Sequence, residues 1–145
     1  MQIRLLRPEE LGWANERYRQ IDFKESSIQD RVAVAEIDRT KVGLGRIVPV
    51  DSGVGELGGM HVLPEHQGKS IASAIVHFLT EQKDFASLYC IPFAHLAHFY
   101  RRHGFIEMDS MQAIPRLVAD KFGWCKQHYP EPVVLMHRAA QRYAR

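Results

Sequence analysis

Glu56 to Ala72 reads E-L-G-G-M-H-V-L-P-E-H-Q-G-K-S-I-A and runs directly into the apolar helical pattern I-A-S-A-I-V-H-F-L. An apolar strand, a break at Pro64, a short polar loop with Gly68 and then a helix start leave the chain few ways to fold. The first N–H groups of a helix lack intrahelical acceptors, and the helix dipole places partial positive charge at the same end. A strand delivered into such a turn builds a site for a phosphate-bearing ligand. The identity of that ligand decides most of the function.

Gly68, Lys69 and Ser70 match the end of a nucleotide-binding P-loop. That loop needs a glycine where this chain has Leu63, so that its backbone can wrap the phosphates. Pro64 follows and has no N–H to donate. No apolar strand ending in a metal-binding Asp comes after the motif. The triphosphatase reading is therefore set aside.

The same stretch, V-L-P-E-H-Q-G-K-S-I-A before an amphipathic helix, resembles the coenzyme A pyrophosphate loop of the GNAT acyltransferases. Gln67, Gly68, Lys69, Ile71 and Ala72 match that signature, and Ser70 stands where the family usually has its second glycine. A helical backbone at Ser70 would leave the serine unstrained, with its hydroxyl available to the phosphate. A second segment, A-H-L-A-H-F-Y-R-R-H-G-F from Ala94 to Phe105, resembles the family's A-x-x-Y-x-x-x-G-F helix end through Ala97, Tyr100, Gly104 and Phe105. Ala94 occupies a position where the family often has Asn. The residues read alone agree: Leu96, Phe99 and Tyr100 recur at helical spacing, Arg101 and Arg102 suit a helix C-terminus, and Gly104 suits a left-handed cap.

The resemblance implies an α/β fold in which a mixed, mostly antiparallel sheet of six to seven strands is flanked by helices, with residues 1–145 as one domain. It implies acetyl-CoA as co-substrate, with Met60, His61 and Val62 offering main-chain groups to the pantetheine arm. It places Gln67 to Ala72 on the pyrophosphate, and Ala94, Ala97, Phe99 and Arg102 beside the cofactor.

Local patterns lay out the elements in that order. Gln2 to Leu6 reads as a strand, and Pro8 opens a helix through about Gln20. Ile21 to Gln29 reads as loop or short helix. Arg31 to Ile37, Val42 to Val50 and Glu56 to Val62 form a meander across D-R-T-K and D-S-G-V-G turns. A helix from Ile71 to about Lys83, a strand near Ser87 to Cys90, and a helix ending near His103 follow. Phe105 to Met108 reads as a strand, Pro115 to about Gln127 as a helix, and Val133 to His137 as the final strand.

Composition narrows the class. A chain of 145 residues with 46% hydrophobic content suffices for one core but not for two typical domains. A formal charge of +2 is too small to argue for nucleic acid. Cys90 and Cys125 lack CxxC spacing, so neither a disulfide framework nor a zinc cluster is expected. Eight histidines include His95 and His98 at helical spacing, and His61 and His66 around the loop, yet nothing completes a ligand set; no metal is expected. With no signal peptide or membrane span in the sequence, a cytoplasmic protein is expected. The late apolar strand allows a homodimer.

Transfer to an amine needs a neutral nucleophile, hydrogen-bond donors for the oxyanion, and a proton for the departing thiolate. Tyr100 is the candidate acid, by its match to the family tyrosine; read without the family it is a packed aromatic with a satisfied hydroxyl. Glu56, on the strand before the loop, is the candidate base, against the alternative of a solvated strand-end carboxylate. His61 is a second base candidate or a partly buried strand side chain. Alternation puts Glu56, Gly58 and Met60 on one face, unless the Gly58-Gly59 pair marks a bulge or a close approach.

By resemblance, the acceptor pocket draws on Tyr18, Asp22, Phe23, Glu25, Arg46, Trp124 and Tyr129. Asp22 and Glu25 suit a cationic amine and Arg46 a carboxylate, though each is as readily a surface charge. A small amine or amino-acid-like acceptor is expected ahead of a peptide or protein amine. The competing function is a catalytically idle acyl-CoA-binding sensor or assembly module.

Overall fold

The computed structural model describes residues 1–108 and 113–139. Strand β1 (Gln2–Leu5) leads through a 3-10 turn at Pro8–Glu10 into helix α1 (Leu11–Gln20). Strands β2 (Arg31–Ile37) and β3 (Thr40–Asp51) form a hairpin. Its two-residue turn holds Asp38 and Arg39 at φ of 49° and 66°, the hand that matches strand twist. Pairing therefore begins at once, at Ile37 with Thr40, and β3 starts earlier than the expected Val42. Strand β4 (Val54–Val62), helix α2 (Ile71–Thr80), strand β5 (Ser87–Cys90) and helix α3 (Ala97–Arg101) follow. Strand β6 (Ile106–Glu107), helix α4 (Arg116–His128) and strand β7 (Met136–Ala139) complete the described chain.

Among the described residues seven strands form one sheet, in the order β1-β2-β3-β4-β5-β7-β6. The β4–β5 pair is parallel, while β1–β2, β2–β3, β5–β7 and β6–β7 are antiparallel. This is the mixed, mostly antiparallel α/β sheet that the sequence led us to expect. No helix among the described residues is long and apolar enough to cross a membrane. Contacts divide the chain into two compact units, Met1–Val48 with Leu57–Gln82, and Pro49–Glu56 with the chain from Lys83 onward.

In the first unit, Ala14 and Tyr18 of α1 pack with Val32 and Leu44, flanked by Leu6, Trp13 and Ile21. Helix α2 buries Ile71, Ile75, Val76 and Leu79, a single apolar face at helical spacing. Each such side chain contributes roughly 2 kcal/mol by leaving water. Gly43 and Gly45 on β3 set how closely that face approaches. A Cβ on Gly43 would sit 3.3 Å from Ile71 and Ile75, and one on Gly45 would strike the Met60 sulfur and lie 2.9 Å from Ile75. Arg4 grips the buried Glu10 with two hydrogen bonds of 2.8 Å and Glu36 with one of 2.6 Å. Chiefly through Arg4, the Glu10 carboxyl is held down to about 2.

In the second unit Tyr89, Val118 and Leu135 form the core, with Val50, Val54, Ile91, Met108, Ile114 and Phe122 around them. The last strand begins at Met136, not at the expected Val133. Its partner β5 ends at Cys90, and Pro92 beyond it has no N–H to extend the ladder. Val133 makes only an isolated bridge to Phe93, and the Val134 N–H donates to the Pro92 carbonyl at 3.0 Å.

Candidate functional site

The loop after β4 is built by backbone conformation. The Leu63 N–H still donates to the Val42 carbonyl at 2.9 Å, so the chain stays paired until Pro64–His66 turns it in a 3-10 step. Gln67 is extended, and its side-chain amide donates back to the Val62 carbonyl at 3.1 Å. Gly68 then takes φ +79° and Ser70 φ +62°, ψ +20°. The condition that would leave Ser70 unstrained, a helical backbone, is not met: the residue is left-handed. That region crowds Cβ against the following carbonyl and costs a non-glycine residue about 1–2 kcal/mol. The first intrahelical bond of α2 runs from the Ala74 N–H to the Ser70 carbonyl at 3.1 Å, so the Ile71 and Ala72 N–H groups have no intrahelical acceptor. Gln67, Gly68, Lys69 and Ser70 are all exposed. Backbone donors, the helix dipole and the Lys69 ammonium suit this loop to an anion.

Upstream in the same unit, β4 runs unbroken through the Gly58-Gly59 pair but takes a left-handed residue there. Gly59 has φ +60°, and its carbonyl accepts a hydrogen bond of 2.9 Å from the Tyr18 hydroxyl. A Cβ there would lie 2.8 Å from the Tyr18 oxygen and 2.9 Å from Arg46 Nε, so glycine is required twice over. Tyr18 is fully buried, and burial pushes its phenol pKa up. The Arg46 guanidinium lies 4.2 Å from the centre of the Tyr18 ring, and its Nη1 donates to Ser26 Oγ at 2.6 Å. Asn15 clamps Ser26 from both sides, accepting from its N–H at 2.7 Å and donating to its carbonyl at 3.0 Å. Phe23 stacks on Tyr18 with ring centres 6.3 Å apart. Met60, His61 and Val62 beyond Gly59 are all half-buried, without the in-out alternation of a two-faced strand. Burial and then the Arg17 charge lower the His61 pKa, which leaves a neutral imidazole near pH 7.

The second unit carries the remaining candidates. Glu56 is buried, and its carboxylate accepts a hydrogen bond of 2.6 Å from the Lys121 ammonium on α4. Cys90 and Cys125 are free, buried thiols whose pKa values are raised by burial first and also by the Glu56 charge. Tyr100 is 8% exposed; burial pushes its phenol pKa up and Cys90 pushes the same way, so it is a neutral hydrogen-bond donor over the whole working pH range. Phe99 and Phe105 meet the Tyr100 ring edge-on at 5.0 and 6.1 Å. Gly104, at φ +90°, ends the helix as its sequence position suggested, and the Phe105 N–H returns to the Tyr100 carbonyl at 3.2 Å. Helix α3 is shorter than expected, because a 3-10 turn at Ala94–Leu96 replaces its first part. The Ala94 N–H is taken by the Pro132 carbonyl at 2.9 Å, Ala97 is buried, and Arg102 is exposed.

Of the acceptor candidates, Tyr18, Phe23 and Arg46 come together. Asp22 is exposed in a left-handed conformation, and Glu25 pairs with Arg19 at 3.1 Å. Trp124 stacks on His128 at 4.2 Å, and Tyr129 sets its edge against Phe93 and Trp124 at 5.2 and 5.9 Å. Ser26, Asn15 and Lys121 were not nominated from the sequence. Lys121 lies 65 residues from Glu56, and no local pattern announces so distant a partner. Asn15 and Ser26 look like ordinary polar residues of a helix and a loop. Among the described residues no three His, Cys, Asp or Glu side chains converge on one point.

Comparison with solved structures places the fold among acyltransferases. Rv2747 from Mycobacterium tuberculosis, solved in complex with CoA, superposes with a TM-score of 0.76 at 18% identity, over 97% of this chain and 100% of that one. A GNAT family acetyltransferase from Elizabethkingia anophelis with acetyl-CoA bound gives 0.64 at 17% identity, over 95% and 97% of the two chains. N-acetylglutamate synthase from Neisseria gonorrhoeae, complexed with coenzyme A and N-acetyl-glutamate, gives 0.70 at 11% identity, over 97% of this chain and 35% of that one. No curated protein sequence matches the chain. The sequence pattern of the acetyltransferase (GNAT) domain matches residues 29–107, more than half of the chain and the stretch that holds both the anion loop and Tyr100, and the chain belongs to the GNAT acetyltransferase family.

Proposed function

We propose that the protein is an N-acetyltransferase that moves an acetyl group from acetyl-CoA directly to a primary amine of a small-molecule or amino-acid-like acceptor, with residues 1–145 acting as one domain. The observation that carries this reading is the anion loop, where Gly68, Ser70 and the free helix start of α2 present backbone donors in a GNAT chain. Gln67 to Ala72 hold the pyrophosphate, and the main-chain groups of Met60 to Val62 hold the pantetheine arm. The neutral amine attacks the thioester carbonyl carbon, the carbon–sulfur bond breaks, and the Tyr100 hydroxyl supplies a proton to the sulfur. The proton that the nitrogen sheds on becoming an amide returns through solvent to the Tyr100 oxygen. Burial keeps the Tyr100 phenol protonated across the working range, so its hydroxyl is present to hydrogen-bond the departing sulfur. Glu56 receives the proton lost by the ammonium, once the amine has displaced Lys121 from its carboxylate.

The test is a panel of amines with acetyl-CoA, followed by release of free thiol. Turnover is expected for at least one small amine, with kcat falling about a hundredfold in Tyr100→Phe. Unchanged turnover in that variant at several pH values removes Tyr100 as the acid. One observation favours a second reading, a non-catalytic acyl-CoA-binding module: the Glu56–Lys121 pair occupies the base with a cation. Micromolar CoA binding without turnover of any amine would select it. Failure to bind any CoA ester would remove both readings.

A further inference from the structure

Among the described residues three charged side chains are buried: Glu10, Arg46 and Glu56. Buried charges are normally held by opposite charges. Glu10 is held by Arg4 and Lys41, and Glu56 by Lys121. Arg46 is different. It is 6% exposed, its hydrogen bond goes to the neutral Ser26 hydroxyl, and its other contact is the face of Tyr18. No carboxylate of the described residues lies within ion-pair distance of it. Asp30, whose charge opposes that of Arg46 at the Tyr18 hydroxyl, accepts from the Ser27 N–H at 3.1 Å instead.

The unused donors of Arg46 are also reachable. Among the described residues no acceptor takes Arg46 Nε or Nη2, and neither is a sealed atom without a partner, as His66 Nδ1 is. The remaining Arg46 N–H groups are therefore not closed off from solvent. Ser26 Oγ accepts from Arg46 and so keeps its own O–H to donate, and Asn15 fixes its position. A guanidinium edge with a neighbouring hydroxyl donor is a fitted receptor for a carboxylate, which takes two or more such bonds on its two oxygens. Gly59 lies directly against Arg46, on the strand that leads to the loop at Gln67–Ser70.

We propose that Arg46, with Ser26 beside it, anchors a carboxylate of the acceptor, so that the amines acetylated are amino acids or other amines bearing a free carboxylate. This rests on the acetyltransferase reading and narrows its acceptor class. The experiment is calorimetric titration of the intact, CoA-saturated protein with N-acetyl amino acids and their matched primary amides, which differ only in the charge at Arg46. At least one acid is expected to bind about tenfold or more tightly than its amide. Arg46→Gln should abolish that preference, with retained CoA binding showing that the variant is folded. Should Arg46→Gln fail to fold, Ser26→Ala should still weaken the acid several-fold and leave the amide unchanged. Amides binding as well as acids, no acid binding to the CoA-loaded protein, or an acid preference that survives in Arg46→Gln would each overturn the assignment. Absence of CoA binding in the wild type would instead remove the acetyltransferase reading on which it stands.

Discussion

Replacing Ser70 by glycine separates strain in the anion loop from chemistry in it. Ser70 sits at φ +62°, ψ +20°, and its side chain makes no capping bond to α2. Glycine relieves the left-handed penalty of about 1–2 kcal/mol. It also adds freedom to the unfolded chain, which returns roughly 0.5–1 kcal/mol of that gain. Ser70→Gly should therefore stabilise the protein by about 0.5–1 kcal/mol, a rise of roughly 2 °C in Tm for a domain of this size. Urea titration reads the stability, and calorimetric titration with CoA reads the site. If the hydroxyl serves only as a strained placeholder, CoA affinity stays level or improves as the loop becomes easier to form. If the hydroxyl reaches the phosphate, affinity falls while stability still rises. A loss of stability in Ser70→Gly would refute the reasoning, because it would mean that the left-handed backbone is not what this residue adopts.

Gly59→Ala should cost more than 2 kcal/mol, since it combines a left-handed alanine with a Cβ 2.8 Å from the Tyr18 oxygen and loss of their hydrogen-bonded fit. Gly53→Ala, at φ +68° with open space around it, should cost only about 1 kcal/mol, and equal losses in urea would show that close approach plays no part. The Glu10 carboxyl is lowered in the folded state, so its contribution is complete above the ordinary carboxylate range and is lost as pH falls towards about 2. Glu10→Gln should thus cost about 2–3 kcal/mol at pH 7, with the gap to wild type closing between about pH 5 and pH 2. A gap that stays constant across that range would show that charge is not how Glu10 stabilises the fold.

What was legible in the sequence followed physical locality. Strand β2 and the start of α2 were readable because β-branched runs and helical periodicity act over a few residues. The Gly58-Gly59 pair marked a special backbone position because glycine relaxes in the left-handed region that Gly59 adopts, and Gly104 signalled a cap for the same reason. The final strand was misplaced because its start depends on Pro92, some forty residues earlier in the chain, which has no donor for the ladder. The conformation of Ser70 stayed open because a serine in left-handed backbone looks identical in sequence to a serine at an ordinary helix cap. The Lys121–Glu56 and Arg46–Ser26 pairs join residues 65 and 20 apart, and only the folded topology brings them within reach.

The bond from Tyr18 to the Gly59 carbonyl has a consequence for how the protein breathes. At that point an acceptor on β4 is satisfied by a phenol from a helix, whereas elsewhere in a sheet a neighbouring strand's amide would fill the role. Fraying of α1 withdraws the phenol, uncovers the carbonyl and frees Gly59 to leave its left-handed well. Hydrogen exchange around Gly59 should then follow the opening of α1 and not that of the adjacent ladder, which makes the helix and this stretch of β4 one cooperative unit.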